Sequence, residues 1–208
     1  MKKLLLLFLF SIGTIGFTQN NEAFVDSMVS QFIGQLSDPS GVVFSRKNYC
    51  EGKIEMFQMP DGKMCSSAST YYSVYVFWKE NEISNVKKFD NCGDFEAVVI
   101  ETDINDRVTE LMEILKTEEV QPYKAANPDK SPFGNMKVED CQKEYTFNFG
   151  TEKFVKSFKE FDLGNDSNSP NVNANANNAL ELIVLDKELN KIISGLEGEG
   201  KFRRGNGQ

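Results

Sequence analysis

The sequence contains no histidine among its 208 residues. Without an imidazole, Ser-His-Asp and Cys-His catalysis and histidine-based zinc or iron sites are excluded. The sequence also lacks a C-x-x-C pair and a glycine-rich phosphate-binding motif. Beyond the N-terminus it has no apolar run near the roughly 20 residues that span a bilayer. Carboxylate chemistry and binding through aromatic side chains therefore remain open.

The N-terminus has the three parts of a secretory signal. Lys2 and Lys3 precede an unbroken apolar run over residues 4–10, and Gly16 and Thr18 occupy the −3 and −1 positions of a cut after Thr18. The apolar stretch is too short for a membrane anchor, which is the alternative. The pattern predicts a signal peptide over residues 1–18, a secreted or periplasmic product, and no membrane span after cleavage.

The predicted mature chain is acidic. Without Lys2 and Lys3, the 23 basic residues become 21 against 31 acidic ones, a net charge of −10. Such a chain repels phosphate backbones, so nucleic acid is not an expected partner. The dense basic cluster, Lys201, Arg203 and Arg204, lies at the chain end, and we expect residues 199–208 to form a flexible tail.

Four cysteines lie in the predicted mature chain: Cys50, Cys65, Cys92 and Cys141. An even count in an oxidising compartment predicts two disulfides, whereas zinc sites use closer pairs of ligands. Four cysteines allow three pairings. We favour Cys50–Cys65 with Cys92–Cys141, because the first would close a short loop around one hairpin, worth about 3 kcal/mol in the chain-entropy account.

Three segments have the spacing of amphipathic helices. Residues 21–36 and 105–118 carry apolar stripes, with Asn105 or Asp106 as a cap for the second. A third helix follows Asn178, which would form a capping box with Glu181. A strand over residues 180–185 is the alternative for the start of this last segment.

Short β-rich runs fill the middle of the chain, at residues 42–44, 53–59, 70–79, 83–89, 95–100 and 144–149. Short turns between neighbouring strands favour an antiparallel meander. Residues 151–163 fit a helical stripe, and we predict a helix there, although a hairpin around Gly150 also fits. The sequence therefore predicts one α+β domain, residues 19–198, with a central antiparallel sheet (meander) flanked by about three helices and stabilised by disulfides.

Residues 164–178, GNDSNSPNVNANANN, are rich in asparagine and almost free of large apolar side chains. Burial of such a segment does not compensate the entropy of ordering it. We expect an exposed, mobile loop.

The strand over residues 70–79 is apolar on both sides, which is unusual for a half-buried strand. One side carries Tyr71, Ser73, Tyr75 and Phe77. This row either packs in the core or forms a binding face for a protein or a glycan, because tyrosine combines an apolar body with a polar tip. If it binds, Tyr71, Tyr75 and Phe77 are the residues expected to carry the contact.

Three carboxylates, Glu101, Asp103 and Asp106, lie where a strand ends and a helix begins. Paired carboxylates serve in glycoside hydrolysis. Acidic residues at a helix N-terminus also complement the helix dipole, which needs no catalytic role. We favour the second interpretation and expect no catalytic residue here.

Together these patterns predict a secreted or periplasmic, non-catalytic binding protein of unknown ligand, with no cofactor or metal expected. A glycosidase-like hydrolase using Glu101 with Asp103 or Asp106 is the first alternative. A purely structural, envelope-associated protein is the second.

Overall fold

The computed structural model describes residues 20–36, 41–127, 141–150, 152–165, 167 and 169–205. The predicted signal peptide, residues 1–18, and residues 206–208 of the predicted tail lie outside these ranges. None of the helices within them is both long enough and apolar enough to cross a membrane.

The elements confirm the predicted α+β class. The helices are α1 (Glu22–Gln35), α2 (Ile104–Thr117), α3 (Ala174–Asn178) and α4 (Glu181–Gly198). The strands are β1 (Val43–Cys50), β2 (Met56–Gln58), β3 (Met64–Ser66), β4 (Tyr72–Glu80), β5 (Ile83–Asp90), β6 (Gly93–Asp94), β7 (Val98–Ile100), β8 (Cys141–Asn148) and β9 (Lys153–Lys159). A 3-10 turn covers Glu160–Leu163.

The main sheet is antiparallel, in the order β6-β5-β4-β1-β8-β9, and β7 pairs with β5 beside β6. The β4–β5 hairpin turns at Asn81 and Glu82, whose φ angles are 49° and 61°. Two positive φ values in a two-residue loop match the twist of the flanking strands. Strands β2 and β3 form a separate hairpin outside the main sheet.

Helices cover both faces of this sheet. On one face α1 packs over β4 and β5, where Val25 and Val29 meet Val76 and Trp78. On the other face α2 and α4 pack over the second row of β4 and over β1 and β8. The alternation of side chains along β4 therefore divides the core into two apolar clusters, one on each side of the sheet.

Both disulfides form, but the predicted pairing is wrong. Cys50 at the end of β1 bonds to Cys141 at the start of β8, and Cys65 in β3 bonds to Cys92 after β5. Cys50 and Cys141 face each other in register on neighbouring strands, although 91 residues separate them. The preference for a short loop failed because strand pairing, which is not local in sequence, sets which sulfurs meet.

The predicted helix over residues 151–163 is wrong, and the hairpin alternative is right. Gly150 has φ 78° in the turn, and β9 returns antiparallel to β8. Phe154 and Phe158 pack against the core, whereas Val155 is 52% exposed. A spacing of four residues keeps two side chains on one face of a helix and also on one face of a strand, so the phenylalanines fitted both.

The asparagine-rich segment is ordered in its described part, so the prediction of a mobile loop is wrong there. Asn171 and Asn177 are 4% and 1% exposed. The amide of Asn177 accepts from the backbone N–H of Gln121 at 2.9 Å and donates to the carbonyls of Gln121 and Asp162 at 2.8 and 2.9 Å. Side-chain amides replace backbone partners here, so order does not require apolar burial.

Two helix caps differ from those expected. Asp103 caps α2 by accepting from the backbone N–H of Asp106, so neither Asn105 nor Asp106 is the cap. For α4, Glu118 accepts from the first two backbone N–H groups at 3.1 Å each, and Asn178 plays no part. A carboxylate at a helix N-terminus satisfies free donors and complements the dipole.

Candidate functional site

Of the aromatic row, Tyr75 and Phe77 pack in the core, as the first of the two interpretations predicted. Tyr75 and Phe77 are 4% and 0% exposed. The hydroxyl of Tyr75 donates to Glu197 at 2.7 Å, and that of Tyr71 to Asp90 at 3.2 Å. Burial first, and then the neighbouring carboxylate, raises the pKa of both tyrosines. The alternative of a solvent-facing binding row is wrong at Tyr75 and Phe77, because helices cover both faces of the sheet, whereas Tyr71 is partly exposed.

The three candidate catalytic carboxylates stand at the start of α2. The ammonium of Lys79 lies 2.7 Å from Asp103 and 3.0 Å from Asp106. Its hydrogen bond to Asp103 lowers the pKa of that carboxyl, which is opposite to what a general acid at neutral pH needs. Glu101 is exposed on the preceding turn. The geometry gives Asp103 and Asp106 a capping and ion-pairing role.

A buried polar network, which sequence reasoning missed, joins the sheet to α4. Arg46 and Asp186, 2% and 3% exposed, pair at 3.1 Å. Lys143 and the hydroxyl of Tyr145 donate to Asp186 at 2.9 and 2.6 Å, and Arg46 donates to Asn190 at 2.6 Å. Burial raises the pKa of Tyr145 well above its usual value. The feature of the sequence that could have indicated this network is an aspartate among the leucines that form the apolar stripe of α4.

This network fixes α4 on the sheet and offers little surface to a ligand. Its charges are paired, which is the condition under which buried ions are tolerated, although the Nε of Arg46 is buried without a hydrogen-bond partner. We therefore assign it a structural role.

The inner face of the hairpin is fixed to the body of the protein. The ring of Phe57 lies 5.3 Å from that of Tyr71 and 5.0 Å from the guanidinium of Arg204. The Cys65–Cys92 bond ties β3 to the end of β5. A two-stranded hairpin alone is marginally stable in water, so these contacts are what hold it in place.

The outer face of the hairpin is apolar and exposed. Ile54, Met56 and Met64 are 55%, 69% and 65% exposed. The register pairs Met56 with Ser66 and Gln58 with Met64, which puts the two methionines on the same side. Two large apolar side chains thus face solvent together on a short, anchored ribbon, and Ile54 is exposed two residues before its first strand.

A groove of about 770 Å³ lies between the hairpin and the edge of the main sheet. The hairpin contributes Met59 and Met64 to it, the sheet contributes Asp94, and the C-terminal segment contributes Arg204. At the hairpin tip, Lys63 and Asp61 form an ion pair at 2.9 Å. The groove therefore combines thioether surface with paired charges.

The C-terminal segment forms one wall of this groove, so the prediction of a flexible tail is wrong for residues 201–205. Arg204 donates to both oxygens of Asp90, at 2.9 and 2.6 Å. Its guanidinium lies between the rings of Phe57 and Phe95, 5.0 and 4.5 Å from their centres. Gly205 donates to the carbonyl of Asp94 at 3.1 Å. The basic residue assigned to a solvated end is thus a buried anchor.

The sequence-predicted residues do not converge on one site. The aromatic row lies in the core, and the carboxylates lie at the start of α2. Within the described ranges, no three Asp, Glu or Cys side chains are grouped in a way that could hold a metal ion. The structure adds one candidate site, the exposed face of the hairpin with its groove. In the sequence, the feature that could have indicated this site is the presence of three methionines within residues 56–64. Comparison with protein-family models, with curated proteins and with solved structures finds no match.

Proposed function

We propose that this chain is an exported, non-catalytic binding protein that contacts a protein partner through the outer face of the β2–β3 hairpin and the adjoining groove. The observation that supports it most directly is the shared outward exposure of Met56 and Met64 on an anchored ribbon, with exposed Ile54 just before it in the chain. A cluster of large exposed apolar side chains is typical of interaction sites.

The anchoring of the hairpin supports a role for its outer face. The disulfide to Cys92 and the packing of Phe57 hold the ribbon in one position, so binding would not require ordering of the ribbon itself. Methionine side chains adapt to irregular partner surfaces because they are unbranched and polarisable. Both features favour an interface that is preorganised in its backbone and adaptable in its side chains.

A protein is a better fit than a glycan. Sugar-binding surfaces rely on exposed aromatic rings, and the one ring in the hairpin strands, Phe57, faces inward against Tyr71. The outer face instead offers aliphatic and thioether groups. Such groups pack against apolar side chains and offer no donor or acceptor matched to sugar hydroxyls.

Export accounts for the oxidised cysteines. Disulfides persist in secreted and periplasmic proteins and are rare in a reducing cytosol. The N-terminal pattern of residues 1–18 supplies the route. We expect the isolated product to begin at Gln19, which N-terminal sequencing measures. A product that retains Met1 and carries four free thiols contradicts export.

Site-specific photo-crosslinking in producing cells tests the contact surface. A benzophenone amino acid replaces Met56 or Met64, and the matched control replaces Val155, which is 52% exposed on edge strand β9. We expect a discrete protein adduct at both hairpin positions, absent at position 155 and lost when Ile54→Lys is added. Equal labelling at all three positions, or none at the hairpin, overturns the proposal.

A further inference from the structure

We propose that Met56 and Met64 form an oxidation site, and that conversion of their thioethers to sulfoxides ends binding through the outer face of the β2–β3 hairpin. The oxidant is a two-electron oxygen donor such as hypochlorite or hydrogen peroxide. The oxidation site follows from the geometry of the hairpin alone, whereas its effect on binding rests on the proposed function. The modification would therefore regulate the same surface that contacts the partner.

The two methionines are the most exposed large apolar side chains in the described part of the chain. Met56 is 69% exposed and Met64 is 65% exposed. By contrast, Met28 and Met112 are half-buried on helices, and Met28 packs against the apolar cluster beneath α1. A dissolved oxidant must reach the sulfur to transfer its oxygen, so the rate of oxidation follows exposure. We therefore expect Met56 and Met64 to react before the helical methionines.

The chain offers few competing targets for such an oxidant. It has no histidine, all four cysteines are in disulfides, and its single tryptophan, Trp78, is 6% exposed. A thioether forms no disulfide, so it remains a nucleophile in a compartment where thiols are already oxidised. Exposed thioether sulfur is thus the most readily oxidised group among the described residues.

The reaction is a two-electron oxygen transfer to sulfur. With hypochlorite, the sulfur lone pair attacks the oxygen, an S–O bond forms, the O–Cl bond breaks and chloride leaves. With hydrogen peroxide, the O–O bond breaks, and the departing hydroxide takes the proton of the transferred oxygen and leaves as water. In both reactions sulfur is oxidised, the oxygen donor is reduced, and the apolar side chain becomes a polar sulfoxide.

The strand register concentrates both changes on one surface. Met56 pairs with Ser66 and Met64 with Gln58, so the two methionines are diagonal neighbours on one face of the hairpin, with side-chain origins about 7 Å apart. A sulfoxide oxygen is a hydrogen-bond acceptor, and its burial against apolar partner side chains is unfavourable when it finds no donor. Oxidation would thus replace the apolar contact surface with a polar one.

Oxidation at these positions should leave the fold intact. Neither methionine belongs to the two apolar clusters of the core, and the ribbon is held by Phe57 and by the Cys65–Cys92 bond. A sulfoxide at an exposed position stays hydrated, so it leaves no polar group unsatisfied inside the protein. The modification therefore changes the binding surface and not the architecture.

Limited oxidation of the mature protein tests the site. We expect peptide mass mapping to show one added oxygen at Met56 and at Met64 while Met28 and Met112 are still thioethers, with native circular dichroism. The variant M56L/M64L should take up correspondingly less oxygen, whereas the matched control M28L/M112L should be oxidised like the wild type. Oxidation of Met28 or Met112 as fast as the hairpin methionines, or loss of native circular dichroism at that stage, overturns the proposal.

Crosslinking after oxidant treatment tests the effect on binding. A benzophenone amino acid at position 58 serves as the probe, because Gln58 is exposed on the same face as the two methionines and lies opposite Met64. We expect the wild type to lose its partner adduct after hypochlorite treatment of the producing cells, whereas M56L/M64L keeps its adduct under the same treatment. The variant M56Q/M64Q, which places polar amides at both positions, should form no adduct even without oxidant.

The outcomes separate the oxidation switch from the proposed function. An adduct from M56Q/M64Q, or one that persists when mapping shows both sulfoxides, overturns the switch and leaves the docking surface standing. Loss of the adduct from oxidant-treated M56L/M64L shows that the oxidant acts on the partner, which also overturns the switch. No adduct from the untreated wild type rejects the docking surface and the switch with it, while the mass map still decides whether the two sulfurs are the oxidation site.

Discussion

Replacement of Arg204 by methionine should destabilise the protein strongly, although only four residues follow it in the sequence. Arg204 forms a bidentate ion pair with Asp90. The side chain of Asp90 is 0% exposed and that of Arg204 is 11% exposed. Methionine keeps much of the apolar contact with the flanking rings of Phe57 and Phe95 but removes the charge. Asp90 would then be a buried carboxylate with no cation beside it.

The size of the effect follows from this burial. Breaking a buried pair by removing one partner costs about 3–5 kcal/mol, because an uncompensated charge stays behind. The remaining donors to Asp90, the hydroxyl of Tyr71 at 3.2 Å and the backbone N–H of Cys92 at 2.8 Å, are neutral. These hydrogen bonds reduce the loss of unfolding free energy, but they do not replace the positive charge.

Urea unfolding monitored by tryptophan fluorescence measures the change. With an m-value of about 2 kcal/mol per molar, a loss of 3–5 kcal/mol lowers the midpoint by about 1.5–2.5 M. Arg203→Met is the matched control, since Arg203 is the exposed neighbour in the same segment, and its effect should stay within about 0.5 kcal/mol. Adding Asp90→Asn to Arg204→Met should recover part of the loss, because it removes the stranded charge.

Equal midpoints for the Arg204 and Arg203 variants would refute this reasoning. The C-terminal segment would then be a loose end, as its composition suggested, and the wall of the groove would not be fixed. A loss in the Arg204 variant that Asp90→Asn deepens would show that the aspartate needs its charge for another reason.

Three further predictions follow from other contacts. Asn177→Ala should cost about 2–3 kcal/mol in urea unfolding, because it strands buried backbone groups, whereas the exposed Asn175→Ala should stay within about 0.5 kcal/mol. Burial alone would raise the pKa of Glu197, but hydrogen bonds from a lysine and a tyrosine lower it overall. Its stabilising contribution is therefore present above the unfolded pKa, near 4.5, and is lost as the pH falls through the lower folded pKa, so Glu197→Gln should flatten the acid limb of a stability–pH profile. Replacing both cysteines of the β1–β8 bridge by serine should cost about 4.6 kcal/mol in the chain-entropy account, against about 3.6 kcal/mol for the hairpin bridge, because the loops span 91 and 27 residues; equal losses would contradict that ordering.

Elements with a strong local period were predictable from the sequence. The stripes of α1, α2 and α4 and the alternation along β4 each report a face that meets the core. The turn between the β-rich runs at residues 70–79 and 83–89 was predictable, because the chain leaves few residues there to reverse direction. The fold class and the approximate bounds of these helices and strands could therefore be predicted from local sequence patterns alone.

Two of the wrong predictions, the cysteine pairing and the flexible tail, have a common origin in contacts between distant residues. Cys50 meets Cys141, Arg204 meets Asp90, and both pairs are separated by more than 90 residues. No local rule links such positions, because strand order and the return of the chain end decide them. The prediction of a mobile loop around Asn177 was wrong for another reason. The order of this segment depends on side-chain hydrogen bonds to the backbone, which an estimate based on apolar burial ignores.

The candidate site was the part least accessible to sequence reasoning. An aromatic strand suggested a surface, yet Tyr75 and Phe77 are core. The exposed methionines looked like ordinary strand residues, and only the register of β2 with β3 shows that Met56 and Met64 share the outward face. Exposure depends on what else covers a segment, and that is a property of the whole fold.

The position of β1 in the middle of the sheet has a consequence for how a growing chain matures. Its neighbours are β4 and β8, and the carboxylate that meets Arg46 in the described structure is Asp186, near the far end of the chain. Until β8 is made, β1 presents an unpaired edge, and until α4 is made Arg46 lacks its carboxylate. Completion of the native sheet is thus a late event, and a chain that ends before β8 keeps an unpaired strand edge that quality-control proteases can recognise.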